Sequence, residues 1–185
     1  MPNDELTLGL GEPGRGRPDA PGTPATSQRR HRGFVVRTDG AARGNPGPAS
    51  LGGVLVALER PDARDPRAVP DASVSEYLGV QTNNVAEYTG VVRALELARE
   101  LGARRVELLL DSRLIVEQLQ GRWRVKDAKL RPLWAAALRL LQELPGGWSA
   151  AHVPRAQNAL ADALANEAID RVQAGGPASI VRRSG

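Results

Sequence analysis

The 185-residue chain has no cysteine, two histidines, two lysines and only 3% aromatic residues. The absence of cysteine rules out a disulfide framework, cysteine-ligated zinc, iron–sulfur clusters and thiol nucleophiles. Any metal must sit on oxygen or on the two histidines. No apolar run reaches the roughly 18 to 20 residues that a membrane span needs, and the N-terminus has no apolar stretch of a secretory kind. A cytoplasmic protein is expected. The scarcity of lysine makes the chain arginine-rich, with only Lys126 and Lys129 departing from that rule. The formal net charge is only +4 despite a pI near 10.3, so overall charge says little about partners, and any polyanion site must rest on a local patch.

What is present is ordinary globular composition, 41% hydrophobic and 25% charged, in a length that suits one folded domain. Residues 1–32 hold five Pro, five Gly and no aromatic residue. They show no sustained period and cannot bury enough surface to offset ordering entropy, so a disordered tail is expected. Residues 174–185, with Gly175, Gly176 and Pro177, are expected to form a second flexible tail. The folded domain is then 33–173.

Within it, Phe34 to Thr38 is a short β-branched and aromatic run, and Gly40 to Pro48 is rich in turn residues. A second apolar run follows from Gly52 to Leu58, suggesting a hairpin. Glu59 to Ala72, rich in Asp, Arg and Pro, is expected to be a long solvated loop before a third strand near Val74 to Val80. From Asn84 to Leu101 the apolar residues Val85, Tyr88, Val91, Val92, Leu95, Ala98 and Leu101 recur at three- and four-residue steps, one face of a helix that Gly102 closes. Val106 to Leu110 predicts a fourth strand, Ser112 to Leu119 and Leu130 to Leu144 two helices, Trp148 to Val153 a fifth strand and Asn158 to Val172 a last helix. A meander of three strands followed by strands alternating with helices predicts an α/β fold with a five-stranded mixed sheet, strands 1–3 antiparallel and strands 1, 4 and 5 parallel.

Four acids fall at element junctions. Asp39 is expected to end the first strand and Asp111 the fourth, with Glu87 and Asp162 in the first turns of the first and last helices. Ligands of open α/β sheets collect at the carboxyl ends of central strands, so these side chains should converge. Singly, each has a bland account as a turn residue or a partner of the helix dipole. Together, four carboxylates would repel by several kcal/mol unless a divalent cation neutralised them. Oxygen-only ligands suit Mg²⁺ or Mn²⁺. Two such ions about 4 Å apart serve in-line displacement at phosphate, which points to phosphodiester hydrolysis.

The segments Thr38-Asp39-Gly40-Ala41-Ala42-Arg43-Gly44-Asn45-Pro46-Gly47-Pro48-Ala49, Thr82-Asn83-Asn84-Val85-Ala86-Glu87-Tyr88, Leu110-Asp111-Ser112 and Asn158 with Ala161-Asp162-Ala163-Leu164-Ala165 resemble, in order and spacing, the signature of type 1 ribonuclease H over about residues 33–172. The resemblance implies the ribonuclease H-like fold. It also implies an endonuclease that cuts the RNA strand of RNA·DNA hybrids, leaves 5′-phosphate ends and uses two Mg²⁺, with Mn²⁺ as a substitute. Asp39, Glu87, Asp111 and Asp162 would be the catalytic metal ligands. Gly40, Asn45, Asn83, Asn84 and Ser112 would be substrate-binding, the asparagines against the minor groove, where 2′-hydroxyls distinguish RNA from DNA.

Two features depart from the commoner family pattern. The segment His152-Val153-Pro154-Arg155-Ala156-Gln157-Asn158 is short, like that of a compact subgroup. Arg155 takes the position of the loop histidine that assists catalysis in many members, and His152, within the strand, is the second candidate. Arginine can steady a phosphate but cannot shuttle protons near neutral pH. There is also no basic protrusion and no N-terminal hybrid-binding module. Grip falls instead to Trp123, Arg124 and Lys126, with Lys129 and Arg131 close behind, an aromatic among cations suited to a duplex backbone. The expected partner is an RNA·DNA hybrid met by a monomer, without a membrane or an obligate protein partner. A non-catalytic hybrid-binding module and a nuclease acting on double-stranded RNA are the competing readings. The first has no use for four carboxylates, and the asparagine set favours hybrids over the second.

Overall fold

The computed structural model describes residues 33–184; the expectation for 1–32 lies outside them. The elements are β1 (Gly33–Ala42), β2 (Gly47–Ala57), β3 (Ala72–Gln81), α1 (Asn83–Glu100), β4 (Arg105–Leu110), α2 (Arg113–Leu119), α3 (Arg131–Gln142), β5 (Trp148–His152), α4 (Ala159–Gln173) and β6 (Ser179–Arg183). They form one mixed sheet in the order β5-β4-β1-β2-β3-β6. β1–β2, β2–β3 and β3–β6 are antiparallel, and β1–β4 and β4–β5 parallel.

The sheet therefore has six strands rather than five, and part of the expected C-terminal tail is structured. Ser179–Arg183 pairs with β3 from Ala72 to Glu76. Composition around Gly175–Gly176–Pro177 correctly signals a break but cannot reveal a strand held by non-local partners. Arg171 of α4 donates to the Pro177 carbonyl and to the Ser75 hydroxyl and carbonyl. Arg183 reaches Glu100 of α1, and Arg182 reaches Glu167 of α4.

Adjacent glycines of β2 show how the layers are set. A Cβ at Gly52 would lie 2.1 Å from the Ala161 carbonyl of α4, whereas one at Gly53 would meet Ala94 of α1. Neighbouring residues of a strand face opposite ways, so α1 covers one face and α4 the other. The main core lies beneath α1, where Phe34, Val36, Leu51, Leu55, Tyr88, Val91, Leu95, Leu108 and Leu141 are buried. α1 buries more than its expected stripe, including Ala86, Gly90, Ala94 and Leu97, because it packs on the sheet and also against α3. Thr82 caps it by accepting from the Val85 amide, and Gly102, at φ +77°, turns the chain away.

The segment 59–71 is not simply solvated. Ala63 and Ala68 pack against Val35 and Val56 on the α4 side of the sheet, and Arg64 pairs with Glu107 of β4. Its polar composition conceals a small apolar foot.

Candidate active site

Asp39 lies inside β1, not at its end, since the hairpin with β2 continues to Ala42↔Ala49. The parallel pairing with β4 stops at Val36↔Leu108, and continuing that register three residues sets Asp39 beside Asp111. β1 thus outruns β4 where the carboxylates meet. Asp39 is 5% exposed; its Oδ1 accepts from the Gly40 amide at 2.8 Å, while its buried Oδ2 has no hydrogen-bond partner. Gly40 permits this arrangement, because a Cβ there would lie 2.3 Å from the Glu87 amide nitrogen. Its contribution is therefore close approach of α1 to β1.

Glu87 is the fifth residue of α1, beyond the first turn in which it was expected. Its Oε1 accepts from Asn83 Nδ2 at 2.8 Å, and the Ser112 hydroxyl also hydrogen-bonds to it. Burial raises the Glu87 carboxyl above its usual range, and Ser112 and Asn83 partly offset this. The Asn83 amide in turn donates to Asn45 Oδ1 at 3.1 Å, tying the β1–β2 turn to the start of α1. Asn84 is exposed beside them. Asn45, Asn83 and Asn84 thus line one edge of the site, and Ser112 sits under Glu87.

Asp162 lies in the first turn of α4, as the sequence suggests, near enough to Asp39 to raise its carboxyl. Arg155, in a 3-10 turn over Arg155–Gln157, donates from Nη2 to Asp162 Oδ1 at 2.9 Å. His152 is exposed on the edge strand β5, its Nε2 3.2 Å from the Asp111 carbonyl. Both candidates therefore border the carboxylates, but only Arg155 touches a carboxylate.

Sequence reading gave Asn158 no role of its own. It is 1% exposed, and its Nδ2 donates at 2.8 Å both to the Thr38 carbonyl and to Asp111 Oδ1. It joins β1, the end of β4 and the start of α4, and fixes the Asp111 carboxylate. Its place in the Asn158–Asp162 motif was a signal, but its partners lie far away in sequence. Arg37 was also missed. It is a buried cation on the α4 side of β1, donating to the Arg64 carbonyl, and burial lowers its pKa.

Burial, then the Asp111 charge and the neighbouring Asp162, push the Asp39 carboxyl up to about 8. A buried carboxylate oxygen without a donor, among three further acids, is the environment a hard cation relieves. Among the described residues no group of three or more His, Asp or Glu side chains is placed so that together they could hold a metal ion. Mg²⁺, however, keeps several waters and is commonly held by one or two carboxylates, so an open set of oxygens suits it.

Beyond the carboxylates, residues 120–130 connect α2 to α3. Trp123 is 46% exposed, with the Arg113 guanidinium 6.0 Å from its ring centroid. A cleft of about 340 Å³ opens there, lined by Trp123, Arg124, Val125, Arg131 and Trp134 among others. Arg122 is held by Glu117. Among the described residues no acidic side chain pairs with Arg124, Lys126, Lys129 or Arg131.

A family model described as reverse transcriptase-like matches residues 37–168. Ribonuclease HI of Halobacterium salinarum is 46% identical over 132 residues, covering 71% of this chain and 62% of that protein. The chain belongs to the type 1 ribonuclease H family. A solved N-terminal ribonuclease H domain of the Mycobacterium tuberculosis protein Rv2228c is 40% identical, with a TM-score of 0.66 over 73% of this chain and 97% of that one. This chain spans 35% of the full mycobacterial protein, which is named as bifunctional. LC11-RNase H1, solved with an RNA/DNA hybrid, is 38% identical with a TM-score of 0.67, covering 76% of this chain and 99% of that chain. The family's mixed α/β architecture is the one described above. No helix among the described residues is long and apolar enough to cross a membrane.

Proposed function

We propose that this protein is a divalent-metal-dependent endonuclease that hydrolyses the RNA strand of RNA·DNA hybrids. The observation that carries the reading is that Asp111 and Asp162 both act on the charge of the buried Asp39, whose Oδ2 no donor reaches, and that Asp111 also acts on Glu87. These four would hold two Mg²⁺, or Mn²⁺ in their place. The ions would supply charge neutralisation and Lewis acidity at the phosphodiester. Asn158 orients Asp111 and Asn83 orients Glu87, so two of the acids are fixed before substrate arrives.

The chain's other residues bind and align the duplex. Asn45, Asn83 and Asn84 form a polar edge whose amides can donate to and accept from 2′-hydroxyls in a minor groove. This favours hybrids over an all-DNA duplex. Trp123, Arg124 and Lys126 offer an exposed ring and unpaired cations to the backbone. Arg155 faces the reacting phosphate and steadies its charge, leaving proton transfer to solvent. LC11-RNase H1 bound to an RNA/DNA hybrid supports the choice of substrate.

The test is cleavage of strand-labelled RNA·DNA, RNA·RNA and DNA·DNA duplexes with Mg²⁺, Mn²⁺ or EDTA. The expected result is metal-dependent cutting of the hybrid's RNA strand alone, abolished by Asp111→Asn. Tight hybrid binding without cutting under either metal would replace this reading with a non-catalytic binding module.

A further inference from the structure

Among the described residues, Arg155 is the one cation in contact with any of the four carboxylates, through Nη2 on Asp162 Oδ1 at 2.9 Å. Its charge also acts on Asp39 and Asp111 and is felt by Glu87. The guanidinium thus partly neutralises the site. An oxygen bonded to a guanidinium is not free to bind a metal ion on the same lone pairs. Arginine cannot give up its charge by losing a proton near neutral pH, so it can leave Asp162 only by moving.

The local structure makes that movement easy. The Arg155 side chain is 76% exposed, and among the described residues Asp162 is its sole ion-pair partner. Its backbone belongs to a three-residue turn rather than a long helix. Asp162, by contrast, is anchored in α4, with its amide bonded to the Asn158 carbonyl at 3.1 Å. When the pair opens, the side chain that rotates is Arg155, and its guanidinium remains at the rim of the site, where a phosphodiester would enter.

We propose that Arg155 is an exchangeable internal counterion: it pairs with Asp162, yields that carboxylate when a divalent cation binds, and is thereby released to pair with the substrate phosphate. This rests on the four carboxylates being the metal site. Arg155 would then oppose metal binding and favour substrate binding, so its removal would move the two affinities in opposite directions. A side chain with a merely structural role, holding the turn in place, would weaken both or neither. An exposed ion pair contributes on the order of 0.2 to 1 kcal/mol, so the metal term corresponds to about a 1.4- to fivefold change in affinity.

The experiment titrates the full chain with Mn²⁺ in the absence of nucleic acid, counting free ion by its electron paramagnetic resonance signal. Arg155→Gln should bind Mn²⁺ about 1.4- to fivefold more tightly than the parent, while Arg155→Lys, which keeps the charge, should bind more nearly as the parent does. Arg183→Gln, which removes the same charge at the Glu100 pair far along the sheet, should leave the affinity unchanged. In parallel, Arg155→Gln should raise the KM for hybrid. Equal or weaker Mn²⁺ binding by Arg155→Gln, or equal tightening by Arg183→Gln, overturns the counterion exchange while leaving the nuclease reading intact. Failure of the parent protein to bind Mn²⁺ at millimolar concentrations overturns the metal-site reading itself, and the exchange falls with it.

Discussion

Burial and the adjacent Asp111 and Asp162 disfavour the Asp39 charge and push its carboxyl up to about 8. In the unfolded chain an aspartate ionises near pH 4, at about 3.9. The folded state thus binds the extra proton between those values, and stability falls as pH rises through the window. In EDTA, the Tm should fall between pH 5 and pH 8, and Asp39→Asn should flatten this slope and raise Tm at pH 8 by about 2 to 5 °C. No gain at pH 8, measured by calorimetry, would mean that the site tolerates the Asp39 charge unaided. Asn158 supports the opposite kind of prediction. Its amide bridges Thr38 and Asp111 from a fully buried position, so Asn158→Ala should cost about 1 to 3 kcal/mol and lower kcat more than it changes KM. Denaturant unfolding together with steady-state kinetics would show both effects. These two residues also mark how legible the site was. The acids were readable because carboxylates at strand ends and helix starts form a pattern in one dimension. Asn158 was not, because its partners lie 120 and 47 residues away and nothing in its own segment points to them.

At the scale of elements, hydrophobic periodicity located β1 to β5 and all four helices, with boundaries off by one to a few residues. The larger shifts have physical causes. β1 extends four residues past Thr38 because its antiparallel pairing with β2 continues after β4 has ended, which a local turn signal at Gly40 could not reveal. β6 was read as a tail because its hold on the fold comes from arginines and backbone pairing rather than from an apolar stripe; three of its five residues are basic or hydroxylic at the surface, and Val181 is 45% exposed. That origin makes its role separable from catalysis. Deleting residues 178–185 removes the Arg182–Glu167 and Arg183–Glu100 pairs and uncovers the β3 edge. Tm should fall by several degrees, about 3 to 8 °C. The kcat measured well below that Tm should stay within about twofold of the full chain, because β6 lies at the opposite end of the sheet from β4 and β5, which border the carboxylates.

Over the whole molecule, a folded body with 20 basic and 17 acidic residues from 33 to 184 has too small a net charge to hold a polyanion by its overall field. Attraction must come from how the charges are placed. Most arginines are spent on neighbouring acids, as in the pairs of Arg60, Arg64, Arg93 and Arg122 with Asp62, Glu107, Glu76 and Glu117. The α2–α3 connection differs, because Arg124, Lys126 and Lys129 stand exposed in the segment of Trp123 with no acid paired to them among the described residues. Each phosphate contact releases counterions and contributes about 0.9 to the slope of log affinity against log salt on B-form DNA, somewhat less on single strands. Replacing Arg124, Lys126 and Lys129 by glutamine should therefore flatten the slope for hybrid binding by about 2 to 3. Arg122→Gln should change it by well under 1, since Glu117 already holds that guanidinium. Fluorescence anisotropy of a labelled hybrid, titrated from about 50 to 200 mM KCl, separates the two variants. An unchanged slope in the triple variant would show that this patch does not touch the duplex, and would move the grip to the asparagine edge and to Arg155, where the carboxylates themselves are charged.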